Sequence, residues 1–195
     1  MGGTDEASER ICGDRAGNAG RRCGAALVSA NADATTPPQT FPVYLQGQYA
    51  TLKRNITGSV DKMPAEHFAF KPVPEVMSYA ELLTHIVETQ YGYCSTVKGA
   101  ANPGASLNFK VTDKAAVAQL VKDSFAYCDD AFAAVTNENA LEMLTRGSAP
   151  NQRQLARVNQ LTQLIVHGNE HYGNLVTYMR IKGIVPPSST PTGQE

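Results

Sequence analysis

The stretch QRQLARVNQLTQLIVHGNEHYGNLVTYMRIK, Gln152 to Lys182, decides the fold. Leu155, Val158, Leu161, Leu164, Ile165, Leu175, Tyr178 and Met179 fall at helical spacing along one side of it. The spacing predicts a single long amphipathic helix from about Gln152 to Lys182. Its end is well marked. Arg180 and Lys182 suit the negative end of the helix dipole, Gly183 suits the left-handed position after it, and Pro186-Pro187 forbid continuation.

Upstream, the same period recurs three times. Val117, Leu120, Val121, Phe125, Cys128 and Phe132 are in phase, predicting a helix from about Asp113 to Val135. Before it, Leu82, Leu83, Ile86, Val87, Tyr91, Cys94 and Val97 supply the buried face of a helix that starts at Ser78. There Ser78-Tyr79-Ala80-Glu81 has the form of a capping box. In the first helix Leu45, Tyr49, Leu52, Ile56 and Val60 make one apolar stripe, which Pro64 ends. Three prolines between Pro64 and Met77 make that segment a long connection, and Asn102-Pro103-Gly104 breaks the chain after the second helix. Residues Asn137 to Pro150 form a further connection, with a helical turn expected at Leu141 to Leu144. No long alternating run calls for a sheet. The expected class is therefore all-α, a four-helix bundle spanning residues 38–189, with a short tail at 190–195.

The chain has four histidines, and two of them, His167 and His171, stand one helical turn apart in the middle of the last helix. Side chains four apart share a face, so both imidazoles can reach one ion. His171 is in phase with Leu161, Leu164, Gly168 and Leu175, which points it into the bundle. Two inward histidines on one turn are hard to satisfy as plain core residues, because each brings two ring nitrogens that need partners. The string His-x-x-Glu-His also fits an inverted zinc-protease signature, which needs a carboxylate well downstream. The only acidic residue after His171 is Glu195, so that reading fails.

A third ligand must come from upstream. His85 is the best placed, since antiparallel packing of the second helix on the fourth would bring it level with the pair. His67 lies in the proline-rich connection and is the weaker choice, because bundle sites draw ligands from facing helices. Glu170 reads as a general base or a hydrogen-bond partner of the ligands rather than a ligand. Tyr172 and Asn174 are candidates to orient a bound molecule, Tyr172 equally a packed residue with its hydroxyl bonded to a neighbour. Gly168 and Gly173 each cost about 1 kcal/mol inside a helix relative to Ala. Close helix approach or room at a metal would explain them.

These residues resemble a known family. His85, then His167-Gly-Asn-Glu-His171-Tyr-Gly-Asn, then Tyr178-Met-Arg-Ile-Lys-Gly-Ile-Val-Pro-Pro-Ser, with Phe70-Lys-Pro-Val-Pro-Glu75 before the second helix, are similar to the DinB-like (YfiT-type) metal-binding proteins. The resemblance covers residues 41 to 189. It implies an up-down-down-up bundle holding one divalent ion on His85, His167 and His171. It implies in turn a metal-dependent transferase acting on a small-molecule substrate such as a low-molecular-weight thiol (bacillithiol or mycothiol), although many members have no known activity. Several members are dimers, so a homodimer is expected.

Three neutral imidazoles leave an ion its positive charge and an open position, so a bound thiol or water would lose its proton more readily. Imidazole accommodates Zn, Ni, Mn and Fe alike, and the ligand set does not choose among them. The alternatives are a hydrolase using water, a non-catalytic bundle whose metal is structural or stress-related, and a helical adaptor whose histidines are core residues.

Composition narrows the partners. Seventeen basic against eighteen acidic residues give a net charge of -1, which argues against binding nucleic acid or an anionic membrane through bulk charge. No apolar run reaches the length of a membrane span. Residues 1–37 differ from the rest: they are rich in Gly, Ala, Asp and Arg without a sustained period, and read as a disordered or processed leader. Arg21-Arg22, a short apolar run and Ala30-Asn31-Ala32 have the order of an export signal, against which stand four acidic residues upstream. The expected location is cytoplasmic, or periplasmic if that signal acts. The four cysteines contain no C-x-x-C pair. Cys94 and Cys128 fall on buried helix faces, and a bridge between them requires an oxidising compartment.

Overall fold

The computed structural model of the chain describes residues 39–190. The leader, with Cys12, Cys23 and the Ala30–Ala32 segment, lies outside the described residues, as does the tail beyond Thr190. Four helices dominate: α1 (Phe41–Lys62), α2 (Tyr79–Lys98), α3 (Lys114–Ala133) and α4 (Arg157–Ile181). No helix among the described residues is long and apolar enough to cross a membrane.

The local signals behave as the sequence predicts. The capping box forms: Ser78 Oγ accepts from the Glu81 amide at 3.2 Å, and the Ser78 amide donates to Glu81 Oε2 at 2.6 Å. Asp113 caps α3 by accepting from the Ala116 amide at 2.9 Å. Gly183, at φ +73°, follows the end of α4. The apolar stripes face inward: Leu52, Ile56, Leu83, Cys94, Val117, Leu161 and Leu175 are all fully buried.

Cross-helix contacts give the direction of each helix. Gln90 meets Ser124, Cys94 meets Cys128 and Lys98 meets Asp130, so α2 and α3 run parallel. Gln46 meets Phe132, Lys53 meets Asp129 and Lys114 reaches Asp61, so α1 and α3 are antiparallel. Met77 meets Tyr178, His85 meets His171 and Val97 meets Arg157, which sets α2 antiparallel to α4. The order is up-down-down-up. Because α2 and α3 are parallel, residues 99–113 must return the length of a 20-residue helix, about 30 Å. A disulfide joins Cys94 to Cys128, whose Cα atoms are 5.4 Å apart.

Two expectations change. The segment after α3 holds an antiparallel hairpin, β1 (Met143–Arg146) with β2 (Arg153–Ala156), in register from Met143↔Ala156 to Arg146↔Arg153. The helical turn expected at Leu141 to Leu144 is therefore replaced by a turn and the start of β1, and α4 begins at Arg157 rather than Gln152. Both strands have four residues and lie mostly exposed, so neither carries the apolar alternation that would mark it. The turn leading into β1 also caps α4, whose first amides, Arg157 and Val158, donate to the Glu142 and Ala140 carbonyls at 2.8 and 2.9 Å.

Candidate metal centre

The capping box fixes where α2 starts, and so places His85 two turns into it. Antiparallel packing then brings α4 alongside with His167 and His171 at that level. Gly168 contributes to the same alignment. A Cβ there would lie 2.6 Å from Leu52 Cδ2, so its bare backbone lets α1 press against α4 one residue from His167.

His85, His167 and His171 converge as expected. Each offers a ring nitrogen, and the three donor atoms lie within 4.8 Å of one another. Ring centroids stand 5.0 Å apart for His85–His167, 4.9 Å for His85–His171 and 4.4 Å for His167–His171. All three side chains are half-buried. Ligands of a tetrahedral zinc stand about 3.4 Å apart, so small rotamer shifts would close the set on an ion.

The residues fit a divalent cation. His167 Nε2 is buried with no hydrogen-bond partner among the described residues, a cost that coordination would remove. Burial, then the neighbouring imidazoles, lowers the pKa of His167 and of His171, against a smaller opposite pull from Glu170. Both rings are thus held neutral near pH 7, as a metal requires. The Asn174 amide lies 3.4 Å from His171 Nδ1. The atom facing it is the amide nitrogen, Nδ2, and the tautomer of the ring sets the direction of this long contact.

Other sequence candidates separate. Glu170 is exposed, its side chain makes no hydrogen bond among the described residues, and it acts on His167 and His171 through its charge. The Tyr172 hydroxyl accepts from the Ser188 amide at 3.0 Å, so it pins the segment after α4 rather than orienting a ligand. His67 sits in a short 3-10 turn, Ala65–His67, outside the cluster. Gly173 has nothing within 4 Å of a built Cβ and provides no close approach.

Two hollows beside the histidines escaped the sequence reading. One, of about 460 Å³, is lined by His85 and by Leu107 to Lys110 of the returning connection. The second, of about 360 Å³, has His171 in its wall, with Asn174 and Tyr178 of α4 and Pro72 to Met77 of the first connection. Each combines helix faces with a connection that lacks regular structure and carries no period to read.

Fold and site together define a four-helix bundle with three convergent histidines suited to one divalent ion. The chain belongs to the DinB family, whose model matches residues 45–195. Among solved structures, it is similar to a DinB-like protein from Bacillus cereus, at 18% identity and a TM-score of 0.61, covering 76% of this chain and 97% of that one. It is also similar to the DinB-like protein YjoA from Bacillus subtilis, at 19% identity and a TM-score of 0.58, covering 72% and 92%. At these identities the likeness is one of fold. Comparison with curated proteins gave no match.

Proposed function

We propose that the protein is a metal-dependent transferase that joins a small thiol to an electrophilic carbon, with His85, His167 and His171 holding one divalent ion. The observation that carries this reading is the convergence of three histidines from two helices around a buried, unpartnered nitrogen, His167 Nε2. A divalent ion bound there supplies a Lewis acid that lowers the pKa of a coordinated thiol. The chain's own residues do the rest. Neutral imidazoles add no charge to offset the ion, and Asn174 holds the His171 ring in place. Glu170, exposed beside the cluster, accepts the thiol proton. Sulfur then forms its bond to carbon as the carbon–leaving-group bond breaks, and the leaving group departs with the bonding pair and takes up that proton.

Elemental analysis of protein purified without chelating resin tests the metal site. About one ion per chain in the wild type, lost in His171→Ala, is expected. A wild type that stays folded, carries no metal and takes up no added Zn, Ni or Mn would overturn the reading.

A further inference from the structure

Away from the histidines, the β1–β2 hairpin and the last turns of α2 border a third hollow, of about 560 Å³. That lies within the about 300–1,000 Å³ of small-molecule sites. Ser95, in its wall, is ten residues beyond His85 on α2, about 15 Å along the helix. Ser95, Thr96, Asn102, Thr145 and Arg146 supply its polar side chains, and the rest of the wall is three glycines and Ala100.

Arg146 is the only charged residue in the wall, and it forms no ion pair among the described residues. Its guanidinium lies 4.4 Å from the centre of the Tyr93 ring, which holds it without neutralising it. A second cation stands beside it. Arg153 is the direct partner of Arg146 across the hairpin, likewise exposed and without an ion pair among the described residues. Residues so paired share a face with Cβ atoms about 4.5–5.5 Å apart, and like charges there are destabilising. An anion between the two guanidiniums would remove that repulsion. The negative end of α2 lies close by and works against an anion, but three of its last four carbonyls are occupied. Those of Ser95 and Thr96 accept from the Ala100 and Gly99 amides, and that of Val97 from Arg157.

We propose that this hollow binds a phosphate monoester of a hydroxylated molecule, a sugar phosphate in class, at a site separate from the metal centre. Two arginines match a dianion, and the planar guanidinium meets phosphate oxygens through paired hydrogen bonds. The remaining wall suits hydroxyl groups, which both donate and accept. Thr145 Oγ1 accepts from Gln154, which leaves its own proton to donate. Asn102 Nδ2 donates to nothing among the described residues, its oxygen alone being used, by the Gly104 amide. Thr96 Oγ1 donates to the Gly92 carbonyl, so its oxygen is left to accept.

The test titrates the full chain with glucose 6-phosphate, inorganic phosphate and glucose, followed by amide NMR shifts. Glucose 6-phosphate is expected to move Thr96, Asn102 and Gly147 and to leave His85 and His171 in place. Inorganic phosphate should move the same amides with weaker affinity, and glucose at equal concentration should move none. Arg146→Ala should weaken glucose 6-phosphate about tenfold, the scale of a hydrogen bond between charged groups. Arg153→Gln should weaken it about fivefold, as one exposed charge pair does. Arg146→Lys, which keeps the charge and loses the fork, should recover only part of the loss. Chelator-treated protein should bind equally well. Shifts that centre on the histidines and vanish with chelator would place the phosphate on the ion and overturn the proposal. Shifts confined to Asn159 and Gln163 would do the same, since they line a separate hollow of about 300 Å³ that Arg146 also borders. Inorganic phosphate binding as tightly as glucose 6-phosphate, affinity indifferent to both arginines, or no shifts at all would equally overturn it.

Discussion

Replacing Gly168 with alanine sets two opposing effects against each other. Alanine in place of glycine inside a helix is favourable by about 1 kcal/mol. Against that, the new Cβ would lie 2.6 Å from Leu52 Cδ2 and 3.1 Å from Cδ1. Carbon atoms in contact sit about 3.5–4.0 Å apart, so Leu52 or α1 must move by about 1 Å. Leu52 is fully buried, so its movement must be taken up by the core around it. Overpacking of this kind costs about 1–3 kcal/mol, which leaves a net loss of about 1 kcal/mol. In a Leu52→Ala background the clash is gone, and Gly168→Ala should stabilise by about 1 kcal/mol. The assay is urea unfolding under non-reducing conditions for the four proteins of the cycle. Gly173→Ala serves as control: it is exposed with nothing within 4 Å and should stabilise in either background. Equal effects of Gly168→Ala with and without Leu52 would refute the argument that this glycine exists for the approach of α1 to α4.

Other outcomes follow from single features. Reducing the Cys94–Cys128 bridge frees a 34-residue separation and should lower stability by about 3–4 kcal/mol, read as a shift in urea midpoint with and without reductant. An unchanged midpoint alongside full thiol labelling would show that the bridge does not constrain the unfolded chain. Hydrogen bonding to the Ser78 amide, then Lys71, holds the Glu81 carboxyl at about 2 against an ordinary 4.5. Because the folded value is the lower one, this contribution is complete above pH 4.5 and is lost as pH falls toward about 2. Glu81→Gln should cost about 1 kcal/mol or less at neutral pH, since the carboxylate is half exposed, and should lose less stability than wild type across that window. Metal at 100 times its dissociation constant should add about 2.7 kcal/mol to the folded state, and a chelator should remove it. A melting temperature indifferent to added metal would count against an ion held in the folded state.

Signals that span a few residues were legible. The capping box at Ser78 and the glycine stop after α4 each concern groups within four residues, and each forms as read. The pairing of His167 with His171 is of the same kind. The β hairpin was missed because its strands are short and solvated, so burial imposed no alternation on them.

The amino-acid sequence alone determined the four helices, their buried faces and the histidine pair on the longest of them, because hydrophobic period and end chemistry are local. It proposed His85 without deciding its height. That was settled by the antiparallel packing of α2 on α4, which depends on side chains about a hundred residues apart, such as Met77 and Tyr178. The separate fates of Glu170, Tyr172 and Asn174 have the same origin. They stand within five residues on one helix, and only the neighbours of each face decided which met solvent, which met Ser188 and which met His171. The two hollows belong wholly to tertiary structure: parallel α2 and α3 force the connection between them back past His85, and no local pattern encodes where a returning chain will pass.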